Sequence, residues 1–339
     1  MRYLLLTLTI SLVSCAPQIK PPVQPPSSPP AESKYAIAIL QPNATDSLAQ
    51  TVASKAVCNA KYNGVSVWTT NTLRLMTDRP SYQQLYNDLL PAKGLCKDVW
   101  VYVWTYKPGL FANDAAWLPT IDAFGRLAKA VKDLGFKGIL FDNEPYNGTI
   151  EDTWGENVPP ADLPYAYKRG QQIAAAIGDV PFFVFNGPSN ADQTARDNGL
   201  TFSYPPDWKA SAQFFFGLVD GKAKVIDGNG DYRWQTEAEI KASYDLRKNG
   251  LSIIPEPLKA DYANRVSVGF LFYNQNWPKS TQKTLEMFSN QLKYAKKYAD
   301  KYYAAYIETP GQGFGNNPGN WVSPDAATLP WINALNSAE

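Results

Sequence analysis

Gly138-Ile139-Leu140-Phe141-Asp142-Asn143-Glu144-Pro145-Tyr146 is the stretch on which the reading of the fold turns. An apolar strand, Lys137–Asp142, runs straight into a polar end. Residues two apart on a strand face the same side of the sheet, about 6.6 Å from each other. Asp142 and Glu144 are therefore expected to point together. Upstream, Trp117, Leu118, Ile121, Phe124, Leu127, Ala128 and Val131 recur at spacings of three and four, and Gly135 follows as a stop. A helix thus precedes the strand.

Outward from this unit the same alternation repeats. Apolar strand-like runs lie at Tyr35–Leu40, Val65–Thr69, Val99–Thr105, Lys137–Asp142, Phe182–Phe185, Ala223–Asp227, Val266–Tyr273 and Ala304–Glu308. Helical patterns separate them. Ser81-x-x-Gln84 and Thr236-x-x-Glu239 have the form of capping boxes. Ser280 is placed to cap a long helix whose stripe is Leu285, Phe288, Leu292 and Ala295. Phe214–Val219 could read as a ninth strand, but Asp207–Val219 fits better as the fifth helix, because Ala223–Asp227 then supplies the sixth strand. Eight strand–helix units predict a (β/α)₈ TIM barrel, a single α/β domain over residues 34–339. The runner-up, an open doubly wound sheet, lacks the glycine-rich loop that such folds place after an early strand.

The chain has 339 residues, 32 Lys+Arg, 31 Asp+Glu and no histidine. That zero excludes Ser-His-Asp and Cys-His devices and every His-ligated metal within one chain. Proton transfer near neutral pH falls to carboxylates, tyrosine, lysine or a bound ion. A formal charge of +1 argues against a nucleic-acid partner.

The N-terminus reads as an address. Met1-Arg2-Tyr3 is a short basic start, and Leu4–Val13 is an apolar run of ten residues, too short for a bilayer span of about 20. Residues 1–14 are expected to be a signal peptide. Pro17 to Ser33 holds seven prolines in 17 residues, an extended linker. Of the three cysteines, Cys58 and Cys96 are free to pair in an exported compartment.

In a barrel of this kind chemistry sits at the carboxyl ends of the strands. Those ends carry Trp68, Trp104, Tyr106, Asp142, Asn143, Glu144, Tyr146, Asn186, Asp227, Asp231, Tyr273, Trp277 and Glu308, with no lysine or arginine among them. Anionic substrates would want cations there. Amides and flat aromatic platforms suit a neutral polyhydroxylated ligand instead, so the rim predicts carbohydrate. Two neighbouring carboxylates push their proton affinities apart, which is what acid-assisted glycosidic cleavage needs.

The strand-four stretch resembles the signature of TIM-barrel glycoside hydrolases. Asp142-x-Glu144 resembles the family 18 chitinase-type pattern, although Lys137 and Leu140 stand where that family has earlier aspartates. Asn143-Glu144-Pro145 resembles the clan A hydrolases, although Tyr273-Asn274-Gln275 offers no glutamate nucleophile at strand seven. The resemblance implies Glu144 as general acid/base with Asp142 in support. For the second carboxylate the choice falls on Asp227, with Asp142, Asp231 and Glu308 as the other candidates. Trp68, Trp104, Tyr106, Asn143, Tyr146, Asn186, Asp231, Tyr273, Trp277 and Glu308 are expected to bind substrate. Leu12-Val13-Ser14-Cys15 resembles the bacterial lipobox, which implies lipidation of Cys15 and anchoring to the cell envelope, at the outer membrane or on a periplasm-facing membrane. That anchor is the sole expected membrane contact.

Asp227-Gly-Asn-Gly-Asp231 invites a calcium reading, but Tyr232 stands where an EF-hand loop needs glycine and Ala238 where it needs glutamate. No metal and no organic cofactor is expected. The sequence leaves two functions open, an exported glycoside hydrolase and a non-catalytic sugar-binding lipoprotein, and is silent on oligomeric state.

Overall fold

Strand β4, Gly138–Asp142, alternates cleanly between two surroundings. Ile139 and Phe141 belong to the cluster that includes the helices, whereas Leu140 belongs to a second cluster whose fully buried members lie in strands or just beyond them. One face of the sheet is therefore covered by helices, and the other closes on itself as an interior. The computed structural model describes residues 34–40, 58, 63–104, 107–143, 154, 158–200, 208–229, 234–274, 283–307 and 329–337. All of them belong to one compact unit, Ser33–Glu339.

The remaining strands are β1 Tyr35–Leu40, β2 Asn63–Val67, β3 Asp98–Trp104, β5 Phe182–Val184, β6 Val225–Asp227, β7 Val266–Val268, β8 Leu271–Tyr273 and β9 Tyr302–Ile307. They form one sheet in the order β7-β6-β5-β4-β3-β2-β1-β9-β8, and every pair is parallel. With helices in the connections from β2 through β7 and between β8 and β9, this is an α/β barrel. Val266–Tyr273, expected as one strand, is two three-residue segments. The reason is a change of partner. Gly269 N donates to the Asp227 carbonyl on the β6 side, whereas Ala304 N on the β9 side donates to the Phe270 carbonyl. A Cβ on Gly269 would lie 2.8 Å from Ile226 Cγ2 and 2.9 Å from the Tyr302 carbonyl, so only glycine fits this turn of the chain.

The interior is aromatic: Trp100, Tyr102, Phe183, Phe185, Tyr273, Tyr302 and Tyr306 fill it with Ile37, Ile39, Leu140, Ile226 and Leu271. The helix-facing layer is larger and includes Trp117, Trp154, Phe214 and Trp331. Helix Asp114–Leu134 buries Trp117, Phe124, Leu127 and Val131 and stops at Gly135 in the left-handed conformation, φ 74°. Leu118 departs from the expected stripe and is exposed. Phe214–Val219 is helical, within Lys209–Asp220. Both capping boxes form, at Ser81/Gln84 and Thr236/Glu239. Helix Leu285–Tyr298 begins later than expected: its cap is Thr284, whose hydroxyl accepts from Met287 N, and Ser280 lies outside the described residues.

Cys58 and Cys96 form a disulfide with Cα atoms 5.0 Å apart, tying the segment before β2 to the turn before β3. Among the described residues no helix is long and apolar enough to cross a membrane. Residues 1–33, with the leader, Cys15 and the proline-rich stretch, lie outside them.

Candidate active site

The parity of β4 decides which of the expected residues meet. Asp142 shares the inward face with Leu140 and lies opposite Trp104 in the β3–β4 register. It is 2% exposed. Its Oδ2 accepts from the Tyr102 hydroxyl at 2.5 Å and lies 3.4 Å from the Tyr306 hydroxyl, and the two hydroxyls are 2.5 Å apart. Three strands, β3, β4 and β9, thus converge on one carboxylate oxygen.

Aromatic rings enclose this point. Trp68 meets Tyr102 edge-on with centroids 5.0 Å apart, and Phe185 stands 5.7 Å from Tyr102 and 5.9 Å from Tyr306. Tyr273 is 6.2 Å from Tyr306 at near right angles. Trp68 and Trp104 are half-buried against this interior cluster. Of the expected platforms, Trp68, Trp104 and Tyr273 therefore come together around Asp142.

Asn143 and Asn186 do not join them. One residue beyond Asp142, Asn143 turns to the helix side and is fully buried. Its Oδ1 accepts from Asn186 N at 2.9 Å, and its Nδ2 donates to the Asn186 carbonyl at 3.0 Å and to Ser211 Oγ. The carboxamide thereby continues the β4–β5 ladder with a side chain. Asn186, 2% exposed, spends its own Oδ1 on Asn190 Nδ2. Both asparagines brace the strand ends through these bonds, and Asn186 Nδ2 is buried without a hydrogen-bond partner among the described residues.

Asp227 does not join the Asp142 cluster either. Ile226 takes the inward position on β6, so the next residue points into the helix layer. There Asp227 is fully buried beside Arg247, with Oδ1 at 3.6 Å from Nη1, while Nη1 donates to the Asp227 carbonyl at 2.9 Å. Arg247, carried by the π-helical turn Leu246–Gly250, also stacks over the Phe270 ring at 4.6 Å. Burial pushes the Asp227 carboxyl up against the opposing pull of Arg247, and burial pushes Arg247 down. The Asp227 carboxylate occupies the space in front of Gly187, where a Cβ would come within 2.2 Å of Oδ1. A calcium role for Asp227 meets the same objection, because the adjacent charge is already a guanidinium. Among the described residues no group of three His, Cys, Asp or Glu could hold a metal ion.

Glu144, Tyr106, Tyr146, Asp231, Trp277 and Glu308 lie outside the described residues. Three site residues escaped the sequence reading. Tyr102 sits two residues before Trp104 on the same face, and strand parity alone would have found it. Tyr306 sits two before Glu308 in the same way. Lys283 carried no signal: ten residues beyond β8, it is buried, and its Nζ donates to the Tyr273 carbonyl at 2.8 Å. It brings a cation to a rim whose strand ends hold none.

No protein-family model matches the sequence. No curated protein matches it either. Solved structures do. The chain is similar to a GH5-4 broad-specificity endoglucanase from Clostridium longisporum, with 12% identity over 87% of this chain and 86% of that one and a TM-score of 0.54. A GH5-4 broad-specificity endoglucanase from Clostridium cellulovorans gives 12% identity, 91% and 94% coverage and a TM-score of 0.53. A family 39 glycoside hydrolase from the gut symbiont Bacteroides cellulosilyticus WH2 gives 12%, 90% and 63%, and 0.51. What is shared is the barrel.

The buried pair off the barrel axis yields a test. Asp227→Asn leaves the buried Arg247 guanidinium, which stays charged, without its counter-charge and should lower the unfolding free energy in urea by about 3–5 kcal/mol. No loss of stability, or a gain, in Asp227→Asn would contradict this account of the pair.

Proposed function

We propose that the protein is a glycoside hydrolase that cleaves the glycosidic bonds of a polysaccharide or oligosaccharide with carboxylate acid/base chemistry. The observation that carries the reading is Asp142. It is a carboxylate at the carboxyl end of an inner barrel strand, oriented by two phenols and ringed by Trp68, Trp104 and Tyr273. Barrel enzymes place their chemistry at that end. Hydrolases that act on glycans share the fold, which supports the same class here.

In this reading Glu144, two residues further along, is the general acid that protonates the leaving oxygen. A fixed negative charge on Asp142 raises the proton affinity of its neighbour, so Glu144 stays loaded near neutral pH. Asp142 takes the place first given to Asp227 as the partner carboxylate, with Asp231 and Glu308 as further acids of the rim. The aromatic faces bind the apolar sides of sugar rings. In the same reading β7 and β8 are two halves of one strand interrupted at Gly269, which makes the barrel eightfold and residues 34–339 its single domain. In the same reading residues 1–14 are a signal peptide and lipidation of Cys15 makes the protein an exported, lipid-anchored one.

A panel of polysaccharides and oligosaccharides, assayed for new reducing ends and by mass spectrometry, tests the activity. The wild type should cleave at least one glycan, Glu144→Gln should lose about 10²–10⁴-fold in kcat, and Asp142→Asn should lose less. Full activity in Glu144→Gln would refute the mechanism. Binding of a glycan by calorimetry without cleavage of any would instead favour the sugar-binding alternative. For the anchor, Cys15→Ser should move the protein from the membrane fraction to the soluble exported fraction; unchanged fractionation would refute lipidation.

A further inference from the structure

We propose that Tyr102 and Tyr306 are positioning residues, a two-phenol chain that holds Asp142 ionised. The inference rests on the glycosidase reading for its purpose, but its chemistry stands on the geometry alone.

The three side chains come from strands remote in sequence, Tyr102 lying 40 positions from Asp142 and Tyr306 lying 164. All three are buried. A carboxylate out of water is costly unless hydrogen bonds replace its hydration. Here the Tyr102 hydroxyl donates to Oδ2 at 2.5 Å. Each phenol has a single proton. Once Tyr102 has given its proton to Asp142, its oxygen is an acceptor, and the Tyr306 hydroxyl 2.5 Å away is placed to donate to it. Both protons then run toward the acid, Tyr306 to Tyr102 to Asp142, and each bond polarises the next. Hydrogen bonds donated to the charged form favour it.

The packing keeps this order. Trp68 and Phe185 set the Tyr102 ring edge-on, and Phe185 and Tyr273 do the same for Tyr306. Neither ring can rotate away without displacing another aromatic. Among the described residues, Tyr102 from β3 and Tyr306 from β9 face Asp142, with Tyr273 from β8 behind Tyr306 and the Lys283 ammonium on the Tyr273 carbonyl. Glu144 follows two residues along the chain.

The test is a carbon-13 titration of the full chain labelled at aspartate Cγ, with the Asp142 signal assigned by its loss in Asp142→Asn. A hydrogen bond to a charged group is worth roughly 1.5–3 kcal/mol, so Tyr102→Phe should move the Asp142 midpoint up by about one pH unit. Tyr306→Phe, which removes only the relayed donor and keeps the ring, should move it up by less. Should Tyr102→Phe fail to fold, the Tyr306→Phe shift carries the test. On any glycan the wild type cleaves, the acid limb of the kcat/KM profile should move the same way in both variants while KM changes little. An unmoved midpoint in the folded variants overturns the proposal. A moved midpoint in a protein that cleaves no glycan upholds the phenol chain and refutes the glycosidase reading, so the two failures are distinct.

Discussion

The period-two alternation of β4 is the constraint from which the rest follows. Leu140 and Asp142 face the interior, and Ile139, Phe141 and Asn143 face the helices. One register therefore delivers a carboxylate to the barrel interior and, with the next residue, an amide to the wall. The Asn143 amide ties the end of β4 to Asn186 and Ser211, while Asp142 is gripped across the interior by β3 and β9. The strand end is thus held from both sides. A slip of one residue would exchange the two roles and bury an unpaired acid among helices.

The same rule explains the division of the acids. Asp142 and Asp227 both end strands, and by position alone they look equivalent. Their inner neighbours differ: the residue before Asp142 faces outward, and the residue before Asp227 faces inward. Asp142 consequently meets phenols, and Asp227 meets a buried guanidinium. The absence of histidine gains physical content here. In the interior of this barrel tyrosine hydroxyls take up the work of hydrogen-bonding an acid that falls elsewhere to histidine.

Much of the fold was legible because strands and helices announce themselves by short-range period. The runs at Tyr35–Leu40, Phe182–Phe185 and Ala223–Asp227, the capping boxes and the Gly135 stop all depend on residues close in sequence. The Val266–Tyr273 break was not legible, because it is made by partners on β6 and β9 rather than by local propensity. In the site, Asp142 and the surrounding Trp68, Trp104 and Tyr273 were readable from strand ends. The facing of Asn143, Asn186 and Asp227 required parity, which the apolar runs fix only when both faces of a short, doubly buried strand can be told apart. Lys283 reaches the rim from far down the chain and left no local trace.

The central claim is that a sugar lies across the aromatic mouth with its glycosidic oxygen at residue 144. A crystal structure of the Glu144→Gln protein with an oligosaccharide bound tests it most directly. The account predicts a ring stacked on Trp68, Trp104 or Tyr273 and the glycosidic oxygen within about 3 Å of the side chain at position 144, with Asp142 still held by Tyr102. A sugar seated away from this mouth, or a side chain at 144 turned out of the barrel, would contradict it.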